Sequence, residues 1–153
     1  MYLTQKELKE IHDYLEGYRN TPEAQSMKQY CQHGAVSTYD HVMHVTYLSY
    51  YLNRRLGLGA DSKSLVIGSF LHDFYLYDWH EKNRAHQWHG FHHPQKALRN
   101  ANRLFSLNRK EQAIICQHMW PLTIRTIPSC RESLIVCISD KISSTIETLF
   151  RRT

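Results

Sequence analysis

The spacing of apolar residues narrows the fold of this chain more than any other feature. They recur three and four apart along most of its 153 residues, and no segment alternates apolar with polar as a half-buried strand does. The expected architecture is all-α. Helix signals punctuate the pattern. Thr4-Gln5-Lys6-Glu7 reads as a capping box opening a helix that runs to Gly17, with Leu8, Ile11 and Leu15 on one face. Thr21-Pro22 opens a second, because proline at the first helical position has its backbone angle preset and no amide hydrogen to leave unpaired. A third begins near Thr38 to Asp40 and stops at Gly57-Leu58-Gly59, with Val42, Val45, Leu48, Leu52 and Leu56 inward. Asp61 caps a fourth that passes through Leu65, Gly68 and Leu71 and delivers His72 and Asp73 near its C-terminal end.

Residues 74–92 are rich in aromatics and histidines and have no clear period, so a loop with at most one helical turn is expected there. Pro94 is expected to start a fifth helix, with Ala97, Leu98, Ala101, Leu104 and Phe105 inward. Asn108-Arg109-Lys110-Glu111 caps a sixth that ends near His118, and residues 119–128 are a connection. Ser129-Cys130-Arg131-Glu132 caps a last helix whose inward stripe reads Leu134, Ile135, Ile138, Ile142, Ile146 and Leu149. Seven helices with short links predict a single-domain bundle over residues 1–153, since a chain of this length encloses one core.

Composition excludes several classes. Apolar residues make up 42% and charged residues 22%, the balance of a globular protein, without low-complexity stretches. No run approaches the roughly 18 to 20 apolar residues of a membrane span, and the N-terminus lacks the apolar core of a signal peptide, which gives a cytoplasmic reading. Cys31, Cys116, Cys130 and Cys137 form no CxxC pair and are expected as buried free thiols. The net charge of +5 favours an anionic partner. Its basic residues are scattered and belong to no nucleic-acid module, so nucleic acid is not indicated and a small phosphorylated molecule fits the same balance.

Histidine is the compositional oddity: there are 11, eight of them between His41 and His93. His72-Asp73 ends a core helix, where an ionised carboxylate needs a partner or a cation. Taken singly, the other candidates have ordinary explanations: a hydrogen-bonded core histidine for His41, a cap for His93, a helix-end histidine for His118, an ion pair for Asp140. Together they form the order His, His-Asp, His, His, Asp, a set of nitrogen and oxygen donors suited to transition metals and to Mg or Mn, in which one carboxylate can bridge two ions.

At these residues the chain resembles the HD-domain superfamily, in particular small bacterial HD proteins described as metal-dependent phosphohydrolases. HGAVSTYDHVMHV, SFLHDFYLYDW, GFHHPQKALRNA, QHMWPLT and SDKISSTIE carry the likeness, which spans residues 33–147. It implies one or two divalent ions, drawn from Fe, Mn, Ni, Co, Zn or Mg. It also implies that His41, His72, Asp73 and Asp140 hold the first, with Asp73 bridging to a second on His93 and His118. His92 is the alternative to His93. The implied activity is hydrolysis of a phosphate ester or nucleotide by activated water, with Asp73 central. Two other functions stay open, a di-iron oxygenase using the same six residues and a metal-binding regulatory module without turnover. Lys82, Arg84 and Lys141 lie close in sequence to these residues and are candidates for binding the substrate phosphate. Asp78 is a candidate to orient water or donate a proton, Tyr75, Tyr77, Trp79 and Trp88 to line a pocket, and a homo-oligomer is compatible with the chain.

Overall fold

The computed structural model describes residues 2–33, 35–78, 80 and 89–150, without the side chains of His33 and His89. Seven α-helices are present among these residues: α1 (Gln5–Arg19), α2 (Pro22–Ser26), α3 (Thr38–Arg55), α4 (Ser62–Leu71), α5 (His89–Leu104), α6 (Arg109–Gln117) and α7 (Arg131–Phe150). None is long and apolar enough to cross a membrane.

The anticipated caps form. Thr4 and Glu7 close the capping box of α1, Pro22 sits at the start of α2 behind Thr21, Asp61 accepts from the amides of Lys63 and Ser64, and Asn108 with Glu111 repeats the box on α6. Glu7 does a second job, because Arg55 at the end of α3 reaches both its oxygens, at 2.6 and 2.9 Å.

Helix α4 is the axis of the bundle. Its residues from Ser64 to Leu71 are all buried, as a helix apolar all round must be, and α1, α3, α5, α6 and α7 pack on it. Ile11, Leu15, Val42, Ile67, Phe70, Leu71, Phe74, Ala97 and Ala101 form the main core, and Val45, Leu65, Ile114, Ile135 and Val136 a second cluster. The α4–α6 crossing is unusually close. A Cβ on Gly68 would stand 2.9 Å from the Cβ of Ile114, inside contact range. Gly68 lies one turn before His72 and Ile114 one turn before His118, so this crossing sets how near the two imidazoles come.

Four expectations need correction. A short antiparallel ribbon, Cys31–His33 with Val36–Ser37, precedes α3; strands of three and two residues are too short to show a period in sequence. Helix α5 begins at His89, within the expected loop and five residues ahead of Pro94. Pro94 is the sixth residue of α5 and lies inside the helix, where it removes the one hydrogen bond its amide would make to the carbonyl of Gly90. On α7 the buried face is Ser133, Ile135, Val136, Ser139, Asp140, Ser143 and Glu147, while Leu134, Ile138, Ile142, Ile146 and Leu149 are exposed; on α3 and α5, Leu56 and Leu104 are also exposed. The cysteines are free, but only Cys137 is buried.

Two predictions follow from this packing. Gly68→Ala should lower stability by about 1 to 3 kcal/mol, because the added methyl overpacks against the Ile114 side chain, and should also separate His72 from His118; chemical denaturation measures the first effect. The Glu7 carboxyl is drawn from its ordinary 4.5 to about 2 by Arg55 and by the Thr4 amide. A carboxyl with a depressed value stabilises the fold above its ordinary range and loses that contribution as pH falls toward the depressed value. The gap in melting temperature between wild type and Glu7→Gln should accordingly be widest above about pH 5 and close as pH approaches about 2.

Candidate metal centre

Five helices each bring one part of a polar cluster into the bundle. His41 stands in the first turn of α3, His72 and Asp73 at the C-terminal end of α4, His93 on α5, His118 at the end of α6 and Asp140 in the middle of α7. All six are buried, none more than 8% exposed, whereas His92 is exposed.

Their imidazoles share one orientation device. His72 Nδ1 is 2.6 Å from the Ser69 carbonyl oxygen and His118 Nδ1 is 2.9 Å from that of Ile115. A carbonyl only accepts, so Nδ1 carries the hydrogen and, in the neutral ring, Nε2 presents its lone pair to the cluster. His41 Nδ1 is likewise tied to Glu147 Oε2 at 2.8 Å. Nε2 of His41 then faces Asp140 Oδ1 at 3.1 Å and Asp73 Oδ2 at 3.8 Å, and Nε2 of His72 faces the same two oxygens at 3.7 and 3.5 Å. On the other side of Asp73, Oδ1 lies 3.1 Å from His93 Nε2 and 3.4 Å from His118 Nε2, and those two nitrogens are 2.9 Å apart.

With neutral rings, acceptors thus converge on acceptors, and His41 can donate to Asp140 only by becoming charged. His72 Nε2 and Asp73 Oδ1 are fully buried without a hydrogen-bond partner, a costly condition that a cation relieves. The separations are those of donors that sit about 2.1 Å from a common ion. Three overlapping groups meet the spacing for metal ligation: His41, His72 and Asp73; His72, His118 and Asp140; and Asp73, His93 and His118. Among the described residues, Asp73 offers one oxygen to each side.

Electrostatics agrees with the geometry. Burial favours the neutral forms of Asp73 and Asp140, yet the neighbouring histidines hold both carboxyls well below the usual range. Burial also opposes charging His41, but Asp140 and Glu147 override it and raise the ring to about 10. His72 is raised against burial by Asp73 and Asp140, while burial prevails at His118 and lowers it. Such a site calls for positive charge at neutral pH.

Two residues missed in the sequence support the cluster. Glu147, two turns beyond Asp140 on the same face of α7, accepts from both His41 and His44 Nδ1, at 2.8 and 2.9 Å. Gln32, in the ribbon, donates from Nε2 to Asp73 Oδ2 at 2.6 Å, and its Oε1 accepts from the hydroxyls of Thr38 and Tyr75. The carboxylate fixes which end of that amide faces it, since it accepts only. Glu147 was legible as the i+7 partner of Asp140; an isolated glutamine outside any period carries no such signal.

Of the other candidates, Tyr75 lies beside the cluster, its ring 5.8 Å from that of His93. Asp78 accepts from the backbone amide of His80 at 2.9 Å. Lys141 Nζ is fastened to the carbonyls of His118 and Cys137, at 2.9 and 3.3 Å, which is a structural use of the ammonium rather than a place for a phosphate. Tyr75 serves the Gln32 network, and Lys96 lies over the Tyr77 ring, 4.6 Å from its centre. Lys82, Arg84, Trp79 and Trp88 lie outside the described residues.

A family model for the HD domain matches residues 38–145, about two thirds of the chain and all six clustered residues. The chain belongs to the HD-domain family. No curated protein and no solved structure gives a significant match. Glu147 and Gln32 both lie outside the span matched to the family.

Because Gln32 holds the carboxylate that serves both sides, Gln32→Ala should weaken Mn binding about 10- to 100-fold, as loss of a partner behind a ligand does. Isothermal titration measures it, and an unchanged affinity would remove Gln32 from the site.

Proposed function

We propose that this chain is a metal-dependent phosphohydrolase that cleaves a small phosphate ester or nucleotide with activated water. One observation carries the reading: the two oxygens of a single buried carboxylate, Asp73, are divided between two sets of inward-facing imidazole nitrogens. In this reading His41, His72, Asp73 and Asp140 hold one divalent ion, and Asp73, His93 and His118 a second.

A divalent ion held by these residues would supply hydroxide near neutral pH and would stabilise charge on the phosphoryl oxygens. The residues do the rest. Ser69, Ile115 and Glu147 fix the tautomers of His72, His118 and His41 from behind, so that no ring has to turn when the site loads. Gln32 holds the rotation of Asp73. The excess of 19 Lys and Arg over 14 Asp and Glu favours approach of an anionic substrate.

The test couples stoichiometry to turnover. Wild type should bind up to two ions per chain by elemental analysis and release phosphate from p-nitrophenyl phosphate or a nucleotide panel with Mn, Mg, Co or Ni. His93→Ala with His118→Ala should retain about one ion with weakened turnover. Asp73→Ala should lose hydrolysis while keeping its helical circular-dichroism spectrum, since the core is built from other residues. Two irons per chain with dioxygen consumption and no phosphate release would overturn the hydrolase in favour of an oxygenase. Metal binding without either activity would leave a regulatory module.

A further inference from the structure

Helix α5 contains Lys96, Arg99 and Arg103 and neither Asp nor Glu. At 100° per residue the three cations lie within about 60° of one another, a stripe about 10 Å long on the side of the helix turned away from buried Ala97 and Ala101. Lys96 is half-buried, Arg99 and Arg103 are exposed, and these two arginines form no ion pair among the described residues. One end of the stripe is tied to the metal centre. Lys96 follows His93 by less than one turn, and Asn100, one turn further on, latches the segment after Asp73 to the helix by donating from Nδ2 to the carbonyls of Phe74 and Tyr75, both at 3.1 Å. The Tyr77 ring then sits under the Lys96 ammonium, 4.6 Å away, and against the Tyr75 ring at 5.0 Å, which meets His93 at 5.8 Å. Burial, and after it the charge of Asp73, push the Tyr77 phenol up to about 12. The first cation of the stripe and the central carboxylate thus act on the same tyrosine.

We propose that Lys96, with Arg99 and Arg103 behind it, is the subsite for a second anionic group of the substrate, so that the preferred substrate carries linked phosphates. Naming the ligand a substrate rests on the phosphohydrolase reading; the anion site itself does not. With the scissile phosphoryl group at the cluster, a phosphate linked to it can reach Lys96, and the next can reach Arg99. Lys96 suits this use, because an ammonium held over an aromatic ring keeps its charge and its donors while its stem is fixed. Guanidinium groups such as those of Arg99 and Arg103 grip phosphate oxygens through paired donors. Single-stranded nucleic acid asks for more than charge, and the stripe presents no aromatic side chain on which a base could stack.

Isothermal titration of the metal-free chain with inorganic tripolyphosphate at low salt tests the site without reference to catalysis. The wild type should bind with a Kd of about 1 mM or tighter. Lys96→Gln with Arg99→Gln should weaken this at least about 10-fold, the loss expected of charge-assisted bonds, with an unaltered helical circular-dichroism spectrum. Lys6→Gln with Lys9→Gln removes the same charge from exposed positions on α1 and should bind as wild type. In the metal-loaded protein the ratio of kcat/KM for a nucleoside diphosphate to that for the monophosphate should fall about 10-fold in the α5 variant, through KM. Tripolyphosphate affinity that survives the α5 substitutions, or falls equally with those on α1, overturns the proposal even where phosphate esters are hydrolysed. Specific loss in a chain that hydrolyses none would end the phosphohydrolase reading and leave the anion site standing. A single-stranded oligonucleotide that binds more tightly than tripolyphosphate, and through the same residues, overturns the proposal by giving the stripe to nucleic acid.

Discussion

An ionised carboxylate at the centre of a helical bundle is the constraint on which the rest of this structure depends. Asp73 is 2% exposed, and burial alone would protonate it. It stays ionised because four of the helices and the ribbon contribute a compensating group: His41 from α3, His72 from its own helix end, His93 from α5, His118 from α6 and the Gln32 amide from the ribbon. Helix order and crossing angles would be satisfied by many sequences. This convergence would not, and it explains why α4 and α6 approach closely enough to require Gly68.

Helix α7 shows how the site shapes the surface. Its inward face is Ser133, Ser139, Asp140, Ser143 and Glu147 alongside Ile135 and Val136, a face that lines a polar cluster with small and acidic side chains. Its longest aliphatic side chains had no remaining place but the outside. The exposed ridge is thus a consequence of the polar cluster as much as a feature of its own.

How much of this was legible in sequence follows from which signals are local. Caps at Thr4, Thr21, Asp61 and Asn108 are set by three or four neighbouring residues and were readable. The six clustered residues were readable as a set through the resemblance to the HD superfamily, since singly each had an ordinary explanation. The stripe on α7 was misread although the information was present. At 100° per residue Asp140 points about 200° from Ile138, so Asp140 and the Ile138–Ile142 ridge cannot both face the core. Choosing the carboxylate as inward already made the isoleucines outward. Gln32 was beyond reach, since its role depends on a five-residue ribbon and on a contact 41 positions away.

The two helix-end histidines carry the economy of the design. His72 and His118 occupy the C-cap positions of α4 and α6 with nearly the same backbone, φ −60 and −61, ψ −32 and −25. Each turns Nδ1 back onto the carbonyl three residues earlier. The last carbonyls of a helix lack intrahelical partners, so this bond serves as a cap. It also fixes the tautomer, sending the Nε2 lone pair into the cluster. One hydrogen bond therefore terminates the helix and orients the donor. Because Gly68 and Ile114 sit one turn behind these two caps, the close packing of the Ile114 side chain on Gly68 is also what brings the rings to 4.8 Å between centres. Folding and site assembly are, at this crossing, the same event.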